Sequence, residues 1–93
     1  MNIIELNENL FTEIKKIKSI LEVEFDKNPY VDICSILRLI ESKNYSQYKS
    51  IEKKLKNLSI SFYNRRLSNY HELNIQLEKS EKILTQILNK RIQ

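Results

Sequence analysis

Hydrophobic residues recur along this chain at spacings of three and four, which is the period of an amphipathic α-helix. The first run predicts a helix over about residues 5–25, and Asp26-Lys-Asn-Pro29 ends it because the residue before a proline is pushed out of the α region. Its apolar stripe consists of Leu6, Leu10, Ile14, Ile17, Leu21 and Phe25. Charged side chains of both signs occupy the opposite side, so we expect the stripe to face a protein core.

A second helix is predicted to follow, with Asn28 as its N-cap and Pro29 in its first turn, where the missing N–H costs nothing. Its stripe is Tyr30, Ile33, Leu37 and Ile40, with Cys34 and Ile36 beside it. Ser42-Lys-Asn44 is a weak break, after which the stripe continues as Tyr48, Ile51, Leu55 and Leu58. Glu52 and Lys56 are spaced there for an exposed ion pair. The pattern leaves open whether residues 30–58 form one bent helix or two.

The last third of the chain has a less regular pattern. Leu58-Ser-Ile-Ser-Phe62 alternates briefly like a strand, but it has no partner strand, so we predict that a helix starts there with Ser59 as its cap. One face of that helix would carry Ile60, Tyr63, Leu67 and Tyr70. The stripe then continues through Leu73, Leu77, Leu84, Ile87 and Leu88, with Ser80 at an expected core position. Residues 73–77 are a candidate turn before a terminal helix.

Length and composition place these helices in one small domain. Ninety-three residues support one modest core, and the absence of glycine together with a single proline disfavours hairpins and tight turns. Isolated helices of this length are marginal in water, so the stripes must bury one another. We therefore predict a single all-α domain over residues 1–93, an antiparallel up-and-down bundle of four or five helices.

The formal net charge of +4 is unevenly distributed along the chain. Residues 1–42 carry five basic and eight acidic side chains, whereas residues 43–93 carry eleven basic and four acidic ones. A basic half of this kind can bind nucleic acid, anionic lipid or an acidic protein surface. No secretion signal or membrane-spanning run is recognisable, and the lone Cys34 reads as a small buried hydrophobe. We expect a cytoplasmic protein.

Few residues suggest chemistry. One histidine and one cysteine do not make a metal site, and a phosphate-binding loop needs glycine, so we expect neither metal nor cofactor. The exception is Arg66-Leu-Ser-Asn-Tyr-His71, which resembles the Arg-x4-His motif of the helical ribonucleases of the higher eukaryote and prokaryote nucleotide-binding class. That resemblance implies His71 as acid or base and Arg66 as the group that stabilises the phosphate. The simpler interpretation leaves His71 on the outside of a helix.

Nucleic-acid binding without catalysis is a further alternative. It would use the basic side chains of Lys49, Lys53, Lys54 and Lys56, with Tyr45 and Tyr48 as stacking groups. Ile51 and Leu55 lie between these lysines as an evident core face, which weighs against this interpretation.

The order of features resembles the immunity proteins of pediocin-like (class IIa) bacteriocins, the enterocin A immunity group. The similarity lies in the start of the second helix, Asn28-Pro-Tyr-Val-Asp-Ile-Cys-Ser-Ile-Leu37, and in the C-terminal third of the chain. There it covers Ser59-Ile-Ser-Phe-Tyr-Asn-Arg-Arg-Leu-Ser-Asn-Tyr70, then Ile75-Gln-Leu77, Leu84, Ile87 and Arg91-Ile92. The glycine that the family usually carries before its last helix is absent here.

This resemblance implies a cytoplasmic, non-enzymatic four-helix protein that works by binding. Its partner would be a membrane receptor of the mannose phosphotransferase type, recognised from the inner face of the membrane once a bacteriocin has engaged it. The residues predicted to contact that partner are Arg65, Arg66, Lys90 and Arg91. The alternatives are another helical protein-binding module, such as a secretion chaperone or a phage-encoded inhibitor, and the small ribonuclease with Arg66 and His71.

Overall fold

The computed structural model describes residues 2–24, 29–65 and 70–92, with the side chains at 23–24, 29–31, 65 and 91–92 outside that description. Within these ranges the chain forms four α-helices and one short 3-10 helix. The α-helices are α1 (Ile3–Glu24), α2 (Pro29–Ser42), α3 (Lys49–Arg65) and α4 (Tyr70–Ile92), and the 3-10 helix is Tyr45–Gln47. None of the helices in this part of the chain combines the length and the hydrophobicity needed to cross a bilayer.

Each helix packs against its neighbours in sequence, and α1 packs against α4 to close the bundle. The start of α1 lies beside the end of α2, as the hydrogen bond from the Asn7 side chain to the carbonyl of Ile40 shows. The end of α3 meets the start of α4, where the rings of Tyr63 and Tyr70 lie 5.9 Å apart. Consecutive helices therefore run in opposite directions, which confirms the predicted antiparallel four-helix bundle.

The core runs along the middle of the bundle and receives side chains from every helix. The stripe predicted for α1 is buried from Leu6 to Leu21, while its last member, Phe25, lies outside the described residues. In α2 the phase is shifted from the prediction, since Ile36 is fully buried and Leu37 only partly. Cys34 is half-buried rather than buried. Ser80 is buried as predicted, and its hydroxyl donates to the carbonyl of Gln76 one turn earlier.

Residues 30–58 belong to two separate α-helices, α2 and α3, and do not form one bent helix. α2 ends at Ser42, and Lys43 then adopts a left-handed conformation with φ 55°, which a helix cannot continue. The backbone N–H of Lys43 donates to the Ile40 carbonyl over 3.3 Å and closes the last turn. α3 starts at Lys49, and the predicted Glu52–Lys56 pair forms on it with a nitrogen-to-oxygen distance of 3.8 Å.

Two predictions about the last third are wrong. No helix starts at Ser59, because α3 runs through it; Phe62 fills the core while Ile60 and Tyr63 are 59% and 67% exposed. The physical reason is that Leu58 and Phe62 continue the spacing of the buried α3 residues, so the alternation around Ser59 was accidental. Likewise no turn interrupts residues 73–77, which lie inside α4 with Leu73 and Leu77 both buried.

Candidate functional site

The residues predicted to contact a partner lie at opposite ends of the bundle. Arg65 is the last residue of α3, close to the start of α4, whereas Lys90 is exposed in the last turn of α4 next to Arg91. The twenty residues of α4 between Tyr70 and Lys90 span about 30 Å. Arg66 lies outside the described residues. The structure therefore does not bring Arg65 together with the Lys90–Arg91 pair.

The ribonuclease pair is only half described. His71 is the second residue of α4 and its side chain is exposed, while Arg66 falls in the segment outside the description. Their convergence stays a prediction. In the part of the chain that the structure describes, no group of three or more His, Cys, Asp or Glu side chains could hold a metal ion.

Tyr48 is fully buried directly before α3, as its place in the predicted apolar stripe implies, and this contradicts the nucleic-acid alternative that used it as a stacking group. Its hydroxyl oxygen lies 2.5 Å from Oδ1 of Asn7 and 3.0 Å from the carbonyl oxygen of Ile40. Burial, and then the neighbouring Tyr45, raise the pKa of Tyr48 to about 12, while the hydrogen bond with Asn7 works in the opposite direction. The stacking prediction for Tyr48 is therefore wrong, because its ring belongs to the core.

Asn7, the Ile40 carbonyl and Tyr48 form a buried polar joint between three helices. The carbonyl of Ile40 is one of the last four carbonyls of α2, which accept no hydrogen bond from within their own helix. It receives the amide hydrogen of Asn7 over 3.2 Å and lies within reach of the Tyr48 hydroxyl. This joint ties the second turn of α1 and the residue directly before α3 to the end of α2. Its polar groups are occupied by one another, so we assign it a structural role.

A groove of about 430 Å³ lies beside this joint, between the start of α1 and the end of α2. Its lining consists of Asn7, Glu8, Phe11, Thr12, Ile40, Glu41 and Lys43. Two carboxylates, one ammonium group and two apolar side chains do not define one ligand chemistry. Its most buried polar side chain, Asn7, already has partners at both its amide nitrogen and its oxygen.

The most ordered arrangement of exposed side chains is on α3. Lys49, Lys53 and Lys56 follow one another at spacings of four and three, and all three are exposed. Ile60 and Tyr63 continue the same spacing and are also exposed. We call these five residues the outer face of α3, because they lie on the side opposite its buried positions. The face runs from Lys49 to Tyr63, a rise of about 21 Å along the helix axis.

Sequence reasoning named the lysines of this face but assigned Ile60 and Tyr63 to the apolar face of a separate helix, together with Leu67 and Tyr70. One signal could have corrected it. The buried spacing Ile51, Leu55, Leu58 is extended by four to Phe62, and this phase puts Ile60 and Tyr63 on the lysine side of the same helix.

No family model matches the chain, and neither a curated protein nor a solved structure was found to match it. The fold defines a small, basic, all-α four-helix protein. Membership of the bacteriocin immunity group stays a prediction from the residues quoted above.

Proposed function

We propose that this chain is a non-enzymatic helical binding protein of the bacteriocin immunity type. It would protect a cell by binding, from the cytoplasmic side, a membrane receptor of the mannose phosphotransferase type that a bacteriocin has engaged. The observation that carries the proposal is the fold, since four antiparallel helices around one core are the architecture that the resemblance implies. A binding role requires no chemistry, only a rigid frame and an accessible contact surface.

The last turn of α4 is the contact region we favour. Lys90 is exposed there, and Arg91 follows it directly. Cations at a helix C-terminus also stabilise the helix through its dipole. An experiment on these residues must therefore separate binding from helix stability.

Expression in a sensitive bacterium, followed by challenge with a panel of pediocin-like bacteriocins, tests the proposal. We expect survival against one or a few members of the panel. The variant Lys90→Gln/Arg91→Gln should lose protection, whereas Lys79→Gln/Lys82→Gln, two exposed lysines of the same helix, should keep it at the same net charge. Thermal unfolding of both variants shows whether the lost protection reflects lost stability. Sensitivity to every bacteriocin of a broad panel would refute the immunity role.

A further inference from the structure

The lysines on the outer face of α3 are not explained by the stability of the helix. A helix N-terminus carries a partial positive charge, so a cation in the first turn is unfavourable, yet Lys49 is the first residue of α3. Lys53 follows on the same face one turn later. Neither makes an ion pair within the described residues, since Glu52, the acidic residue of that turn, holds Lys56. Lys49 and Lys53 therefore add no ion pair to the fold, and both face solvent, where a partner can reach them.

The apolar end of the same face is equally unexplained by packing. Ile60 and Tyr63 lie one turn apart with more than half of each side chain exposed. The rings of Tyr63 and Tyr70 form a T-shaped pair with their centroids 5.9 Å apart, and Tyr63 is still 67% exposed. Adjacent exposed apolar side chains that continue a charged row are typical of interaction surfaces.

From these observations we infer that the outer face of α3 binds an anionic lipid bilayer. Lysines are attracted to the anionic headgroups, while isoleucine and tyrosine enter the boundary between headgroups and acyl chains, where tyrosine is enriched. The face lies opposite the buried positions of α3, so its five side chains are exposed together along one line on the outside of the bundle. A bilayer surface can contact such a row along its whole length.

Nucleic acid fits the same face less well. The row contains lysines and no arginine, and it offers a single aromatic ring for stacking. A phosphate backbone offers no apolar group for Ile60 to contact, whereas the acyl-chain boundary of a bilayer can contact both Ile60 and Tyr63. Bilayer binding requires no receptor protein, so this inference does not depend on the proposed immunity role.

Co-sedimentation of the full chain with lipid vesicles tests the inference. We expect binding to phosphatidylcholine vesicles that contain phosphatidylglycerol, no binding to phosphatidylcholine alone, and release at about 1 M salt, where the screening length is about 3 Å. Lys49→Gln/Lys53→Gln should weaken binding about 25-fold, at about five-fold for each lysine. The matched control Lys79→Gln/Lys82→Gln removes the same charge from α4 and should change binding little.

The apolar end has its own readout. The chain contains no tryptophan, so the variant Ile60→Trp carries a single fluorescent reporter, and its emission should shift to shorter wavelength on anionic vesicles. Ile4→Trp is the matched control, because Ile4 is 56% exposed on α1 and should show no shift. Ile60→Ser/Tyr63→Ser should weaken binding roughly ten-fold.

Four outcomes would overturn the inference. The first is no binding to anionic vesicles at low salt, and the second is that the α3 and α4 lysine variants weaken vesicle binding equally. The third is that the emission of Ile60→Trp does not shift on anionic vesicles. The fourth is that the chain binds a single-stranded oligonucleotide more tightly than the vesicles, through the same two lysines. Circular dichroism confirms that each variant is folded. Because the vesicles contain no protein, the result is distinct from success or failure of the protection assay.

Discussion

Removal of the Tyr48 hydroxyl should destabilise the bundle by breaking its buried polar joint. In Tyr48→Phe the ring still fills its place in the core, so the loss is confined to the hydrogen bonds with Asn7 and the Ile40 carbonyl. The carbonyl keeps the Asn7 amide and the Lys43 N–H as donors. Oδ1 of Asn7 loses its donor, and because Asn7 is only 5% exposed, water reaches it poorly.

The magnitude follows from that unpaired acceptor. A buried polar group left without a partner costs about 1–3 kcal/mol, so we expect the free energy of unfolding to fall by about 2 kcal/mol. For a domain of this size the melting temperature should fall by roughly 10 °C. Urea unfolding followed by far-UV circular dichroism measures the free energy directly.

The chain offers a matched control in Tyr63→Phe, which removes a hydroxyl from an exposed ring. We expect that variant to lie within about 0.5 kcal/mol of the wild type. The double variant Asn7→Leu/Tyr48→Phe removes both partners of this hydrogen bond. Its loss in the free energy of unfolding should be smaller than the sum of the losses in the two single variants. If Tyr48→Phe is no more destabilising than Tyr63→Phe, our account of the joint is wrong.

Further predictions concern pH, the phase of α3 and the end of α2. The folded protein holds the Tyr48 proton more tightly than the unfolded chain, since the pKa rises from 10.0 to about 12, so the associated stability is complete below pH 10 and is lost as pH rises towards 12. Between about pH 9 and about pH 11, the free energy of unfolding measured in urea should fall by about 1 kcal/mol more for the wild type than for Tyr48→Phe. An equal fall in the two proteins would contradict this. Phe62→Ala should cost about 3–5 kcal/mol, whereas Tyr63→Ala should cost little; similar values for both would place the core phase of α3 in doubt. Lys43→Gly should raise the melting temperature by a few degrees, because glycine adopts the left-handed conformation without a Cβ penalty, whereas Lys43→Ala should not.

The fold was largely predictable from the sequence because its information is local. The stripe from Leu6 to Leu21 repeats one helical spacing for about four turns, and Ser42-Lys-Asn44 interrupts the next stripe where α2 ends. The error at Ser59 arose where two periods coincide: residues at spacing two also satisfy spacing four, so Leu58 and Phe62 fit both a strand and a helix.

The candidate site was less predictable because it depends on relations between helices. Tyr48 was expected in the apolar stripe, and its burial confirms this, but its hydrogen bond with Asn7 was not foreseen, since Asn7 is 41 residues earlier in the chain and only the bundle brings them together. Arg65 and Lys90 belong to one basic region of the sequence, yet the direction of α4 separates them. The lysines of α3 were recognised individually, but their continuity with Ile60 and Tyr63 depends on the phase of the helix.

The packing of α1 against α4 has a consequence for how the protein folds. Contacts between successive helices require only short loops to close, whereas the contact between the first and last helices must enclose nearly the whole chain and forms at a greater entropic cost. During synthesis the ribosome delivers α4 after the other three helices, so the apolar stripe of α1 stays partly uncovered until α4 has emerged. Helix α4 therefore completes the core, and a chain that stops before Tyr70 is expected to aggregate or be degraded rather than persist as a three-helix fragment.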